Sequence, residues 1–386
     1  MKALYFIDLL LYIPSFLMVI YLLVFAIFSR IGVSVKVKPN TESKRNRILV
    51  LIPAYKEDKV IMDTLKAALS QNYDRAFFDV CVISDHMLPE TDKQIIHHGG
   101  RVINIPFPDS SKAKALNYAF NQLGENEYEI VVILDGDNLI VPDFLSTINE
   151  CFNHGWKAVQ AHRTAKNTDT DIALLDAVSE EINNSIFRKG HVAAGLSSAL
   201  IGSGMAFDYA WFRQNVSALI TVGEDKDLEL ILIRQNIQVH YLDSLYVYDE
   251  KTRKEDGLYN QRRRWIAAQL GSLHTALPDL PREFLKGNWN YLDKVYQWTF
   301  LPRVLLLACI CFMTVFTWFF FSYLAVGWTV LLCMLLSALV LAVPSRLMSS
   351  RLFKALLKLP KIIILITMGF FRTKGASKQF IHTDRS

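Results

Sequence analysis

The chain has 386 residues, 52% of them hydrophobic, with mean hydropathy +0.21 and a formal net charge of +5. That is too apolar for an ordinary soluble protein and too charged for one buried wholly in a membrane, so one sizeable soluble domain with membrane segments is expected. The modest basic excess borders the apolar stretches, which positive-inside topology explains, and it is not a nucleic-acid signature. The five cysteines, Cys81, Cys151, Cys309, Cys311 and Cys333, include no CxxC pair. Reduced thiols are expected, with neither a disulfide framework nor structural zinc.

Ala3–Phe28 is apolar except for Asp8 and long enough to cross a bilayer. The alternative is a cleaved signal peptide. No small-residue cleavage site closes the run, and Arg30, Lys36, Lys38, Lys44, Arg45 and Arg47 follow it, so residues 1–30 read as a retained anchor with its basic flank inside. Residues 31–47 form a linker. Residues 48–275 alternate strand and helix patterns: strands at Ile48–Ile52, Phe78–Ile83, Val102–Ile105, Ile130–Leu134 and Ala158–Ala161, and helices at Lys59–Leu69, Lys112–Leu123, Phe144–Phe152 and Asp169–Ile186. Repeated βα order predicts an α/β, mostly parallel, doubly wound sheet with ligand chemistry at the strand carboxyl ends.

Residues 276–300 mix Arg, Lys, Trp and Tyr with apolar residues, and Pro281–Tyr296 reads as an amphipathic helix lying in the membrane interface. Val304–Val343 carries no charged residue. As one helix it would run about 60 Å, twice the hydrocarbon core, so residues 301–344 are expected to form a transmembrane hairpin turning near Ser322–Gly327. Residues 345–386 begin with Arg346, Arg351, Lys354, Lys358 and Lys361, a basic interfacial segment and cytoplasmic tail. Lys361–Phe371 is short for a crossing.

The stretch Ile130–Asn138 organises the chemistry. An aliphatic run buried on both faces stops at Asp135-Gly136-Asp137. Two carboxylates there are hard ligands of the kind Mg²⁺ or Mn²⁺ uses beside substrate phosphates. On its own the pair also fits an Asx-rich turn.

In order, the chain carries LIPAYKED (51–58), VISD (82–85), SKAKALN (111–117), LDGDN (134–138), GSGMAF (202–207), GED (223–225) and QRRRW (261–265). This series resembles the family-2, inverting glycosyltransferases of GT-A fold, in particular the membrane-embedded branch of cellulose, hyaluronan, chitin-oligosaccharide and poly-N-acetylglucosamine synthases. The resemblance spans about residues 47–273.

It implies that Pro53, Tyr55 and Glu57 hold the nucleobase and ribose, that Asp85 contacts the nucleoside, and that Lys112 faces the nucleotide. It implies further that Asp135 contacts the nucleotide, that Asp137 ligates the metal, Mg²⁺ or Mn²⁺, and that Asp225 is the base, with Glu224 supporting. Gln261, Arg264 and Trp265 would serve acceptor and diphosphate. Local alternatives stand beside these roles. Ser84-Asp85 fits a helix cap, Lys114 rivals Lys112, and Glu224-Asp225 fit acids favoured at a helix amino terminus. Arg262 and Arg263 receive no role.

The segment Phe380–Arg385 resembles a gating loop in which Thr383 and Arg385 close over the donor diphosphate; the alternative is a frayed polar terminus. The implied function is transfer from a nucleotide sugar, UDP-linked, to a growing polysaccharide or lipid-linked acceptor at the cytoplasmic face of a bacterial inner membrane. Three crossings are few for a polysaccharide pore. That leaves open single addition to a glycolipid, an oligomer or an export partner. A catalytically inactive subunit and a small-solute transporter are the readings from other classes.

Overall fold

The computed structural model describes residues 2–32, 37–40, 42–219, 221, 223–253 and 255–371. Eight strands form one sheet: β1 (Ile48–Tyr55), β2 (Phe78–Asp85), β3 (Arg101–Asn104), β4 (Ile130–Ile133), β5 (Leu139–Ile140), β6 (Ala158–Ala165), β7 (Met205–Asp208) and β8 (His240–Asp249). Their spatial order is β3-β2-β1-β4-β7-β6-β8-β5. The half containing β1 to β4 is parallel, as the βα order predicts. The other half is mixed. β7 runs antiparallel between β4 and β6, and β5 antiparallel beside β8. Gly202 and Gly204 have φ of +86° and +62°, which steer Met205–Asp208 back along β4, and a Cβ at Gly204 would meet the Val247 side chain at 2.8 Å.

The helices in chain order are α1 (Lys2–Ile31), α2 (Ile61–Leu69), α3 (Pro89–His97), α4 (Lys112–Gln122), α5 (Phe144–Asn153), α6 (Asp171–Asn183), α7 (His191–Ala193), α8 (Tyr209–Asn215) and α9 (Glu224–Arg234). There follow α10 (Glu255–Ala276), α11 (Leu280–Leu285), α12 (Trp289–Trp298), α13 (Arg303–Phe320), α14 (Ser322–Ala342), α15 (Ser350–Leu356) and α16 (Leu359–Phe371). β4 is wholly buried, with apolar clusters on both faces of the sheet. One cluster includes α2 and α5 residues, the other α4, α8 and α9 residues.

Several elements differ from the expected bounds. The long helix starts at Asp171, capped by Thr170 Oγ1 accepting from Ala173 N at 3.1 Å, and continues past Ile186 as a π-helix over Asn184–Gly190. Pro281–Tyr296 is two helices, because the chain turns at Gly287 with φ +68°. On the second, α12, Tyr291, Val295 and Trp298 pack with Leu230 and Ile233 of α9, so this face covers the soluble domain. The hairpin breaks at Phe321, whose φ and ψ of −147° and 62° interrupt the helix one residue before the expected turn.

Among the described residues, three helices are long and apolar enough to cross a membrane: Tyr5–Ile31, Arg303–Phe320 and Ser322–Ala342. They share one apolar cluster with Leu174, Leu175 and Val178 of α6 and with Leu258 and Ile266 of α10. The lone acid of α1 is answered there, since Trp328 Nε1 donates to Asp8 Oδ1 at 2.8 Å. Where the hairpin returns, Arg346 Nη2 donates to Glu181 Oε1 at 2.7 Å and to Thr164 Oγ1 at 3.1 Å. Glu181 also faces His162 Nε2 at 3.1 Å. This cluster ties β6, α6 and the segment after α14 together.

Burial works against the charge on His162, but Asp243 and Glu181 outweigh it and raise the imidazole pKa to about 9. Burial likewise opposes the Glu181 carboxylate, and His162, Thr164 and Arg346 hold it down at about 2. The histidine's contribution to stability is therefore complete below its ordinary value near 6.5 and is lost as pH rises through about 9. The carboxylate's contribution is complete above about 4.5 and is lost as pH falls through about 2. Detergent-solubilised protein is expected to lose roughly 2–3 kcal/mol of stability between pH 6.5 and 9 from this histidine. Denaturant titration across that range should show the loss in the wild type, and His162→Gln should flatten it.

Candidate active site

The carboxyl ends of the parallel strands open into a cavity of about 380 Å³. β1 delivers Pro53 and Tyr55, with Glu57 just beyond, and β2 delivers Asp85. Tyr55 and Asp85 are register partners and so stand side by side at the rim. The Asp85 carboxylate lies 2.6 Å from His86 Nδ1, and His86 itself sits at φ +56°. The resemblance did not include His86. β4 delivers Asp135. Asn138 Oδ1 accepts from Asp135 N at 3.0 Å, and Thr64 Oγ1 donates to Gly136 O at 2.8 Å, so the loop is fastened from both sides. A Cβ at Gly136 would strike the Glu57 carboxylate, so glycine is what lets Glu57 lie against this loop.

Lys112 is the first residue of α4, which Ser111 caps through Lys114 N at 3.3 Å. Its Nζ donates to Asp135 Oδ1 at 2.6 Å and to Gly202 O at 2.5 Å, and stands 3.0 Å from Glu224 Oε1. Lys114 is exposed and donates to Asp109 O at 3.0 Å, so geometry selects Lys112 as the lysine of the cavity. Burial works to depress the Lys112 ammonium, but Asp135 and Glu224 outweigh it and its pKa is raised. Burial raises the Glu224 carboxyl, with Asp225 and Asp135 adding to it against the pull of Lys112. Glu224 and Asp225 occupy the first turn of α9. The helix-terminus reading and the site reading therefore hold together, because both acids also line the cavity.

Gln261, Arg264 and Trp265 come from α10 and complete the wall. Arg262, given no role from sequence, lies over the Trp265 ring at 4.6 Å, and its Nη2 donates to Asp176 Oδ1 at 2.5 Å. Gln261 Oε1 is buried without a hydrogen-bond partner. Asp137, expected as metal ligand, is not on the cavity wall. It is 1% exposed, and it accepts from Asn138 Nδ2 at 3.2 Å and from Glu250 N at 3.3 Å, one layer beneath Asp135. Thr383 and Arg385 lie outside the described residues.

A buried ionic cluster beside Asp135, with Arg163, Glu180 and Asp249 on the same cavity wall, was missed altogether. Arg163 of β6 donates through Nε to Glu180 Oε1 of α6 at 2.8 Å and reaches within 3.9 Å of Asp135 Oδ2. Lys251 pairs with Glu180 and, at 2.7 Å, with Asp249. Burial opposes every one of these charges, yet Asp249 and Glu180 raise the Arg163 pKa, and Arg163 and Lys251 lower that of Glu180. The available signal was charge in apolar context: Arg163 inside a strand and Glu180 inside a helix otherwise lined with Leu, Ala and Val.

The sequence model described as "Glycosyltransferase like family 2" matches residues 45–268. Among solved structures, a mannosyltransferase from Pyrobaculum calidifontis, in complex with GDP-mannose and Mn²⁺, aligns with a TM-score of 0.53 at 16% identity, over 86% of this chain and 95% of that one. Glucosyl-3-phosphoglycerate synthase from Mycobacterium tuberculosis aligns at 0.41 and 19% identity, over 59% and 80%. TarS of S. aureus aligns at 0.40 and 15%, over 85% and 54%. No curated protein matches the chain.

Replacing Lys112 by Gln removes the one ammonium facing both Asp135 and Glu224. Leaving buried carboxylates without their cation is expected to cost about 3 kcal/mol of stability, read as a lower unfolding midpoint. The loss should shrink at acidic pH, where Glu224, already raised by burial, takes up a proton.

Proposed function

The chain belongs to glycosyltransferase family 2, and we propose that it transfers a sugar from a UDP-linked donor to a glycan or lipid-linked acceptor, with inversion, at the cytoplasmic face of a bacterial plasma membrane. The observation that carries this reading is that Tyr55, Asp85, Lys112, Asp135, Asp225 and Trp265, drawn from five separate elements and the loop after β4, share one cavity. Tyr55 offers a ring face to the base, and Asp85 an acceptor to the nucleoside. Lys112 and Arg264 set positive charge against the diphosphate. Trp265 offers an indole face to a sugar ring.

The acceptor oxygen attacks the anomeric carbon. The bond from that carbon to the diphosphate oxygen breaks, and its electron pair leaves with the nucleoside diphosphate. The acceptor's proton passes to the Asp225 carboxylate, since a neutral hydroxyl is a poor nucleophile. A one-step displacement of this kind inverts the centre.

The residues present also fit a divalent cation. Asp135 puts hard carboxylate oxygen on the cavity wall with Asp137 directly beneath it. Among the described residues no three His, Cys, Asp or Glu side chains form a cage. Mg²⁺ and Mn²⁺ take few protein ligands and complete their shell with phosphate and water. Asp135 would hold it from the cavity wall, while Asp137, bonded to Asn138 and to the Glu250 backbone, fixes the loop from beneath, and a bound cation would neutralise charge on the departing diphosphate. Three candidate spans favour addition of one sugar over a pore-forming polymerase.

Membranes containing the protein should consume UDP-sugar in an acceptor-dependent way, and Asp225→Asn should lower kcat by about 10²- to 10⁴-fold with donor KM nearly unchanged. Full activity in that variant would reject the base, and nucleotide binding without transfer to any acceptor would favour an inactive subunit. Chelation with EDTA should abolish turnover, and Mn²⁺ or Mg²⁺ should restore it.

A further inference from the structure

A second cavity, of about 270 Å³, lies where the apolar hairpin returns to the α/β domain. Among the described residues, none lines both cavities. The π-helix over Asn184–Gly190 runs between them. Its turn, wider than that of an α-helix, brings positions four and five apart onto one face. Phe187 and Arg188 therefore line the first cavity, and Asn184, Ser185 and Lys189 line the second. The rest of the second wall comes from the end of α1 (Ser29, Arg30), from β6 and β8, and from the segment after α14 (Pro344, Ser345, Arg346).

This wall carries more positive charge than its acids answer. Its basic groups are Arg30, His162, Lys189 and Arg346, and its carboxylates are Glu181 and Asp243. Glu181 faces Arg346 at 2.7 Å and His162 at 3.1 Å. Asp243 faces Lys189 at 2.8 Å and His162 at 3.4 Å. Burial opposes the charge on His162, but Asp243 and Glu181 outweigh it and raise its pKa to about 9, so it is a cation at neutral pH. Arg30 donates to two neutral acceptors, Leu341 O at 2.6 Å and Val343 O at 2.9 Å. Four cations thus share two carboxylates, which leaves two positive charges over for an anion. Ser29, Ser185 and Ser345 add hydroxyls to the same wall.

We propose that this second cavity is a head-group site for an anionic phospholipid, held as a structural lipid between the end of α1, the π-helix, β8 and the return of the hairpin. The location selects a lipid over a free anion. Two candidate spans, Tyr5–Ile31 and Ser322–Ala342, end at this wall, so it lies at the level where the apolar surface stops. Within one helical turn of Arg30 and Ala342, the exposed side chains of Ile27, Ile31 and Val340 offer apolar surface to acyl chains. The Arg346 guanidinium lies 6.0 Å from the Tyr246 ring centre, a cation and an aromatic ring of the kind found at a membrane boundary. A bound phosphodiester would join Arg30 of the first span to Arg346 after the third, and Arg346 is bonded to Glu181 of α6. Nothing here requires sugar transfer, so the site stands apart from the reaction proposed above.

Full-length protein in a neutral detergent should gain about 2 °C or more in unfolding midpoint when phosphatidylglycerol is added, and little from phosphatidylcholine of the same acyl chains. Soluble glycerol 3-phosphate at the same concentration should leave the midpoint unchanged. An equal gain from phosphatidylcholine, or from glycerol 3-phosphate, would overturn the proposal, and these comparisons need no variant to fold. The gain, read against each variant's own midpoint, should vanish in Arg30→Gln/Arg346→Gln. It should persist in Lys354→Gln, which removes an exposed charge of the same basic flank that is not on the wall. Equal loss in Lys354→Gln would overturn the proposal by assigning the effect to diffuse surface charge, and an undiminished gain in the double variant would overturn it by placing the lipid elsewhere.

Discussion

One ammonium links the two halves of this domain. Lys112 Nζ lies 2.6 Å from Asp135 and 3.0 Å from Glu224, and it also donates to Gly202 O, on the loop that leads into the antiparallel strand. Asp135 ends a strand of the parallel half, and Glu224 begins a helix packed on the mixed half. Burial raises the Glu224 carboxyl and the lysine pulls against that rise. The spacing between the D-x-D loop and the acids of α9 is thus set by charge neutralisation as well as by apolar packing. That spacing is what a donor diphosphate and an acceptor oxygen would have to span.

The same logic continues along the cavity wall. Arg163, Glu180, Asp249 and Lys251 are nearly fully buried and survive as charges because each is answered by another. Such networks seldom add net stability over an apolar core, but removing one member is costly, so they hold a geometry firmly. Asp137 and Asn138 lean on this layer through Asp249 and the backbone of Glu250. The carboxylate loop therefore rests on a rigid floor.

Helix α6 divides its acids between two tasks. Glu180 turns to Arg163 on the cavity wall, while Glu181, the next residue, turns to His162, Thr164 and Arg346 where the chain returns from the apolar hairpin. On the sheet, Arg163 and His162 are likewise consecutive and point to opposite faces, as alternate residues of a strand must. A displacement of the hairpin would pull on Glu181 and hence on the helix that carries Glu180. The apolar side of the same helix packs with the candidate spans. The α/β domain and the candidate spans thus share one structural member.

Much of this was legible in the residues themselves. The buried strand Ile130–Ile133, the parallel half of the sheet and the three apolar spans follow from periodicity and hydropathy, because those depend on neighbours close in sequence, whereas the side chains expected at the site came from the family resemblance that the motif order carries. What the chain alone left open depends on partners far apart in it. The choice of Lys112 over Lys114 is made by Asp135 and Glu224, 23 and 112 positions away. The burial of Asp137 below Asp135 is made by Glu250. The reversal of β7 is made by two glycines with positive φ and by the space beside Val247. Local chemistry determined which groups this protein owns; three-dimensional packing, through desolvation and charge pairing, decided which of them face the cavity and which are spent beneath it.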